Sequence, residues 1–209
     1  EVDNNWKIFY SDDDKIYLIS SDYMPNKYLS GLGFSTVEDE PYDVWVTTNR
    51  EDLVNKLKTD NSNFKDTSGY AEKAVLASTL EMFCDSWNDL YPTEKIYYQY
   101  VTSGYNAEGY LVGSSENPTK YFEDNMSSKT GYGNILYFPH LGGYNKCCSF
   151  WLSAISASTS NRIMKIQWDG MIAYGYNFDK YIGVRPVITL KSNISLGELV
   201  DGKYELVEN

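Results

Sequence analysis

The sequence predicts an α+β fold with one long helix and one or two short ones. Three observations predict it. Short runs rich in β-branched and aromatic residues alternate with turn chemistry along most of the chain. Helical periodicity is confined to the first half. Hydrophobic residues make up 42% of the 209 residues, enough to fill a core. With no internal repeat and no low-complexity linker, residues 1–209 read as a single domain.

From the N-terminus, Lys7-Ile8-Phe9-Tyr10 and Lys15-Ile16-Tyr17-Leu18-Ile19 are strand material. Ser11-Asp12-Asp13-Asp14 between them supplies short side chains that bond their own backbone in a turn. A polar stretch broken by Met24-Pro25 and Gly31-Leu32-Gly33 follows. Asn49 caps a short helix running through about Lys58, with Leu53, Val54 and Leu57 on one face. The spacing of Ala71, Ala74, Val75, Ser78, Met82, Phe83 and Leu90 predicts the long helix over 70–91, capped by Thr67 or Ser68 and ended by Pro92. Past Ile96 that period vanishes; 97–101 and 110–112 read as strand and loop, punctuated by Gly104, Gly109 and Gly113. Residues 114–149 read as a long polar insert with one helical turn near Tyr121.

The last third is strand-rich. Phe150-Trp151-Leu152 reads as a buried strand, and in 163–168 strict alternation sets Met164, Ile166 and Trp168 on one face and Lys165 and Gln167 on the other. Asp169-Gly170 is a hairpin signal, with 171–176 as the returning strand. The apolar run Gly183-Val184-Arg185-Pro186-Val187-Ile188-Thr189-Leu190 reads as a core strand with Pro186 at a bulge or a non-bonded position. Asp201-Gly202 turns a final hairpin ending in 204–207.

Charge and composition narrow the function. With 29 Asp or Glu against 18 Lys or Arg, the net charge is -11, which argues against nucleic acid as a partner because phosphate recognition needs a basic stripe. No apolar run approaches the length of a spanning helix, about 18–20 residues, so no membrane insertion is expected. The chain opens on Glu1-Val2 rather than Met, as expected of a processed product whose targeting segment is gone. There are 20 Tyr against 8 Phe and 5 Trp; Tyr joins a large apolar body to a hydroxyl and few rotors, which suits recognition surfaces as well as half-buried strands. The one histidine, His140, closes most routes to zinc and to His-based acid–base chemistry. These features favour a binding protein over an enzyme, with no cofactor. Cys84, Cys147 and Cys148 leave three arrangements open: a strained vicinal bridge, a bridge from Cys84 to one of the pair, or three buried thiols.

Trp151-Leu152, then Met164, Gly170 and Gly183-Val184-Arg185-Pro186, resemble a known group of domains, as do Trp6-Lys7-Ile8-Phe9-Tyr10, Tyr17-Leu18-Ile19, Ser21-Asp22-Tyr23-Met24-Pro25 and Thr79-Leu80-Glu81-Met82-Phe83. The chain resembles the C-type-lectin-like domains of surface and pilin-like proteins of gut bacteria and their phages. Some members of that group are variable proteins of diversity-generating retroelements. The resemblance implies mixed and antiparallel sheets forming a frame that displays exchangeable side chains, here in the segment 154–182. It implies an extracellular or cell-surface location, a protein or cell-surface ligand, and pilus- or fibre-like subunits as further partners. The positions matching exposed slots are Arg162, Lys165, Gln167, Tyr174, Tyr176, Phe178, Lys180 and Tyr181, with Trp168 partly buried or at the rim. Arg185 is expected to be paired inside, as part of the frame. Lys165, Gln167 and Met171 depart from the Asn-, Tyr- and Ser-rich slots typical of diversified members.

The residues alone say something compatible. Tyr174, Tyr176, Phe178 and Tyr181 fall within eight positions, too dense for all to enter one core face. Either the rings pack under neighbouring strands, or they form an exposed cluster of the kind that marks contact sites. Other motifs are weaker. Trp87-Asn88-Asp89 copies a tripeptide of calcium-dependent lectins but ends a predicted helix, and a hard cation needs six or more converging oxygens. Asp12-Asp13-Asp14 reads as a solvated turn. His140 lies in Phe138-Pro139-His140-Leu141 without a nucleophile elbow, and the chain has no GxGxxG or Walker-type loop.

Overall fold

A computed structural model describes residues 6–21, 23–25, 29, 31–37, 40–45, 49–60, 69–90, 98–101, 119–122, 149–155, 162–167, 172–179 and 182–209. In chain order the strands of the first half are β1 (Trp6–Ser11), β2 (Ile16–Ser20), β3 (Ser35–Val37), β4 (Glu40–Trp45) and β5 (Ala71–Val75), with helix α1 (Arg50–Lys58) before β5 and helix α2 (Leu80–Leu90) after it. The second half holds β6 (Tyr98–Val101), β7 (Thr119–Phe122), β8 (Ser149–Ile155), β9 (Arg162–Ile166), β10 (Ile172–Tyr176), β11 (Ile182–Gly183), β12 (Val187–Leu190), β13 (Ile194–Val200) and β14 (Lys203–Glu208). The protein is thus mixed helix and sheet, strands predominating.

Two four-stranded sheets carry the frame. The first, in the order β1-β2-β12-β5, is antiparallel throughout; the second, β10-β9-β8-β11, is antiparallel except where β11 runs parallel to β8. Alternation along each strand sends successive side chains to opposite faces, and both faces of both sheets are used. Ile19 and Val187 of the first sheet meet Phe150, Leu152, Met164 and Ile166 of the second, with Phe83 and Trp87 of α2 in the same core. On the far face of the second sheet, Leu53, Val54 and Leu57 of α1 pack against Trp151, Ile163 and Ile182. On the far face of the first, Leu18, Ala74, Ile188 and Leu190 meet Ile194, with Leu206 packed alongside. The layers therefore run terminal hairpin, first sheet, core with α2, second sheet, α1.

Several local expectations hold for visible reasons. Asp12 closes the β1–β2 turn by accepting from the N–H groups of Asp14 (3.1 Å) and Lys15 (2.8 Å). The Asn49 side chain accepts from the Asp52 N–H at 2.7 Å, capping α1. Asp201 and Gly202 both have positive φ, 49° and 76°, the backbone that a two-residue type I′ turn requires between β13 and β14. Arg185 is buried at 1% exposure; its Nε donates to the Ser20 carbonyl at 2.9 Å and its guanidinium lies 4.9 Å from the Phe150 ring centre.

Other expectations are corrected. The helix expected over 70–91 is a strand followed by a shorter helix: 71–75 form β5, hydrogen-bonded to β12, and only 80–90 are helical. Pairing with a core strand more than a hundred residues away outweighs the helical preference of Ala, Glu and Lys. Thr79 Oγ1, not Thr67 or Ser68, accepts a hydrogen bond in the first turn of α2, from Met82 N–H at 3.1 Å. The helical turn expected near Tyr121 is strand β7, paired antiparallel with β6. The single strand expected over 183–190 is two strands in different sheets, β11 and β12; between them the Val184 and Pro186 carbonyls accept from Met24 N–H (3.0 Å) and Ser20 N–H (2.9 Å). The pair β3–β4 falls where the sequence showed only a polar stretch and the approach to α1. Cys84 is buried and forms no disulfide, which removes the bridge from Cys84; Cys147 and Cys148 lie outside the described residues, as do His140, 110–112 and the Asp169-Gly170 turn.

Candidate functional site

The site is built at the open edge of the second sheet. In the register of β9 and β10, Met164 stands opposite Tyr174 and Arg162 opposite Tyr176, so these four side chains share one face. That face is core where Ile166 and Met164 lie, both buried. Two residues further along it passes to Arg162, while β10, the edge strand of the sheet, brings Tyr174 (37% exposed) and Tyr176 (38%).

Arg162 organises the rings. Its guanidinium carbon lies 4.2 Å from the Tyr174 ring centre and 4.8 Å from that of Tyr176, and Nη2 donates to the Tyr176 hydroxyl at 2.9 Å. Such contacts contribute about 0.5–1 kcal/mol each at exposed sites. The Tyr176 hydroxyl contact, against the opposing effect of burial and with help from the two phenols, holds the guanidinium more firmly in its charged form than usual. Phe178 (52% exposed) stacks on Tyr176, with ring centres 5.2 Å apart and planes 10° from parallel. Tyr174, Tyr176 and Phe178, spaced by two, therefore form one aromatic row with a cation against it.

A turn fixes the end of the row. Asp179 N–H donates to the Tyr176 carbonyl, and Asp179 Oδ2 accepts from the Tyr176 N–H, both at 2.9 Å. Asn177 is buried inside this turn while Phe178 points out. Gly175 faces the other way, toward Trp151 and Ile182. Neither Asp179 nor Gly175 was singled out from the sequence. The signals were the short acidic side chain after Asn177-Phe178, which is turn chemistry, and a glycine inside an aromatic strand, which marks close approach.

The sequence-derived set is only partly brought together. Arg162, Tyr174, Tyr176 and Phe178 form the cluster. Lys165 is half-buried on the opposite face of the sheet, across from Ala173 and Trp151. Gln167, half-buried, follows the far end of β9; at about 3.3 Å per residue it is roughly 16 Å along the strand from Arg162. Trp168, Lys180 and Tyr181 lie outside the described residues.

A concavity of about 480 Å³ lies between the β1–β2 turn and α2, lined by Tyr10, Asp12, Asp13, Asp85, Asn88 and Asp89. Burial and then the carboxylates of Asp85, Asp12, Asp89 and Asp13 push the Tyr10 hydroxyl pKa up. Among the described residues no three His, Cys, Asp or Glu side chains are placed to hold a metal ion. Trp87 of Trp87-Asn88-Asp89 is buried in the core on α2. Among the described residues no helix is long and apolar enough to cross a membrane. Comparison with protein-family models, curated proteins and solved structures finds no match to the chain.

Proposed function

We propose that the chain is a non-enzymatic ligand-binding module of C-type-lectin-like architecture, acting outside the cell, whose contact surface is the row Tyr174, Tyr176 and Phe178 with Arg162. One observation carries the reading: three large rings on consecutive outward positions remain exposed yet are stacked and held in place by a cation and a turn. Rings fixed before contact bury apolar area at low entropic cost, which is what adhesion by shape uses. The segment 154–182 that carries the row is where the resemblance expects an exchangeable surface. A reverse-transcriptase gene beside a near-copy of its coding sequence is the genomic sign of diversification.

The test compares the wild-type chain with a Tyr174→Ser/Tyr176→Ser/Phe178→Ser variant on a panel of immobilised surface proteins and glycans. Binding of at least one panel member is expected, weakened about tenfold or more in the variant while its circular dichroism is unchanged. Equal binding by both chains contradicts the reading.

The alternative, a subunit of a pilus-like assembly, draws on the terminal hairpin, where Leu199, Val200, Tyr204 and Val207 are exposed. It predicts concentration-dependent association in sedimentation velocity, abolished by Leu199→Ser/Tyr204→Ser.

A further inference from the structure

Resting on the reading of this row as a contact surface, we infer that Arg162 anchors a carboxylate of a protein partner, an Asp or Glu side chain flanked by an apolar ring. A guanidinium has five N–H donors in one plane and no acceptor. In Arg162 one Nη2 hydrogen is taken by the Tyr176 hydroxyl, and the Nε–H is shielded from solvent without an acceptor among the described residues. Beyond these and a contact with the Tyr174 phenol, the guanidinium keeps Nη donors to offer, and Nη1 with Nη2 is the end-on fork that takes a carboxylate through two parallel bonds. The tyrosine rings lie 4.2 and 4.8 Å from the guanidinium carbon and restrain the group before the ligand arrives.

Charge supports the same partner. The chain has 29 acidic residues, yet among the described residues no carboxylate pairs with Arg162; the ion pairs are Lys15–Glu72, Arg50–Glu51 and Lys56–Asp52. Asp179, the acid nearest in sequence to the row, has Oδ2 committed to the Tyr176 N–H. The exposed ring of Phe178, stacked on Tyr176 next along the row, suits an apolar or aromatic neighbour of the acid. A neutral sugar asks for acceptors as well as donors, and the fork offers donors alone.

The probes are two blocked peptides, Gly-Phe-Glu-Phe-Gly and its Gln counterpart, together with free glucuronate, titrated into the full chain. Binding is read from the Arg162 Nε–H resonance and from the ring resonances of Tyr176 and Phe178. Saturable shifts are expected with the Glu peptide, and the Gln peptide is expected to bind about tenfold more weakly. R162K is expected to lose about fivefold for the Glu peptide, because an ammonium cannot form the fork. R162Q is expected to fall to the level of the Gln peptide, with the remaining resonances in place. Equal affinity for the two peptides overturns the carboxylate anchor and leaves the aromatic contact surface standing. Shifts from neither peptide overturn the anchor and count against the surface as well. Tighter binding of glucuronate than of the Glu peptide overturns the protein partner in favour of an acidic glycan. Unchanged affinity in R162K overturns the fork.

Discussion

Gly175 shows how tightly the contact row is set onto the frame. A Cβ there would lie 3.0 Å from Trp151 Cη2 and from Asp179 Oδ2, and 3.1 Å from Ile182 Cδ1. Trp151 is fully buried and cannot retreat, so Gly175→Ala is expected to cost about 1–3 kcal/mol in urea unfolding, as overpacking does. Tyr17 and Asp12, at the opposite end of the molecule's chemistry, couple protonation to folding. The Tyr17 hydroxyl donates to Asp12 Oδ2 at 2.9 Å. That bond, then those from the Asp14 and Lys15 N–H groups, hold the Asp12 carboxyl below its usual range. Burial, then the same carboxylate, pushes the Tyr17 hydroxyl up to about 12. The signs are opposite. Asp12 contributes stability above the unfolded carboxyl value, about 4, and loses it as pH falls through its lower folded value. Tyr17 contributes below about 10, and its share is lost as pH rises toward its folded value. Tyr17→Phe is therefore expected to narrow its stability deficit at both extremes of a pH series of urea titrations. A deficit constant across pH contradicts the coupling.

At the scale of elements, the Tyr176–Asp179 turn is the part whose removal separates site from frame. Asp179→Ala is expected to cost about 0.5–1.5 kcal/mol of stability and to weaken the near-ultraviolet dichroism of the Tyr176–Phe178 stack, while far-ultraviolet dichroism stays as in the wild type. What the sequence made legible was decided locally. The Asn49 cap, the Asp12 turn and the paired positive φ values of Asp201 and Gly202 each depend on residues within a few positions. What it concealed was decided from afar. Ala71-Glu72-Lys73-Ala74-Val75 has a helix-forming composition, yet Ala74 stands opposite Ile188 and Val75 opposite Val187. The run 183–190 is mostly apolar because all of it but Thr189 is buried. Apolarity alone does not tell that Gly183 pairs with Phe150 in one sheet while Val187 pairs with Ile19 in the other. The site followed the same division. Aromatic density over 174–178 marked the row, whereas the separation of Lys165 from Arg162 follows from the strand period and was obscured by grouping residues on polarity.

For the whole molecule, the core shared by the two sheets and α2 determines whether the row is presented at all. Phe83 is fully buried there, 6.4 Å from the Phe9 ring centre, and Phe83→Ala is expected to cost about 3–5 kcal/mol. Amide exchange at Ile19 and Ile166 should rise together in that variant, since one residue from each sheet reports the same core. Phe178 belongs to the opposite class: it lies outside the three buried clusters of the described residues, and its ring stacks on that of Tyr176. The most direct measurement is therefore on Phe178→Ser, with unfolding free energy and affinity for the bound panel member determined on the same preparation. A contact surface predicts a stability loss within about 1 kcal/mol, since surface substitutions cost little, and an affinity loss of about tenfold or more. A stability loss as large as that of Phe83→Ala, or unchanged affinity, would place Phe178 in the frame and contradict the account.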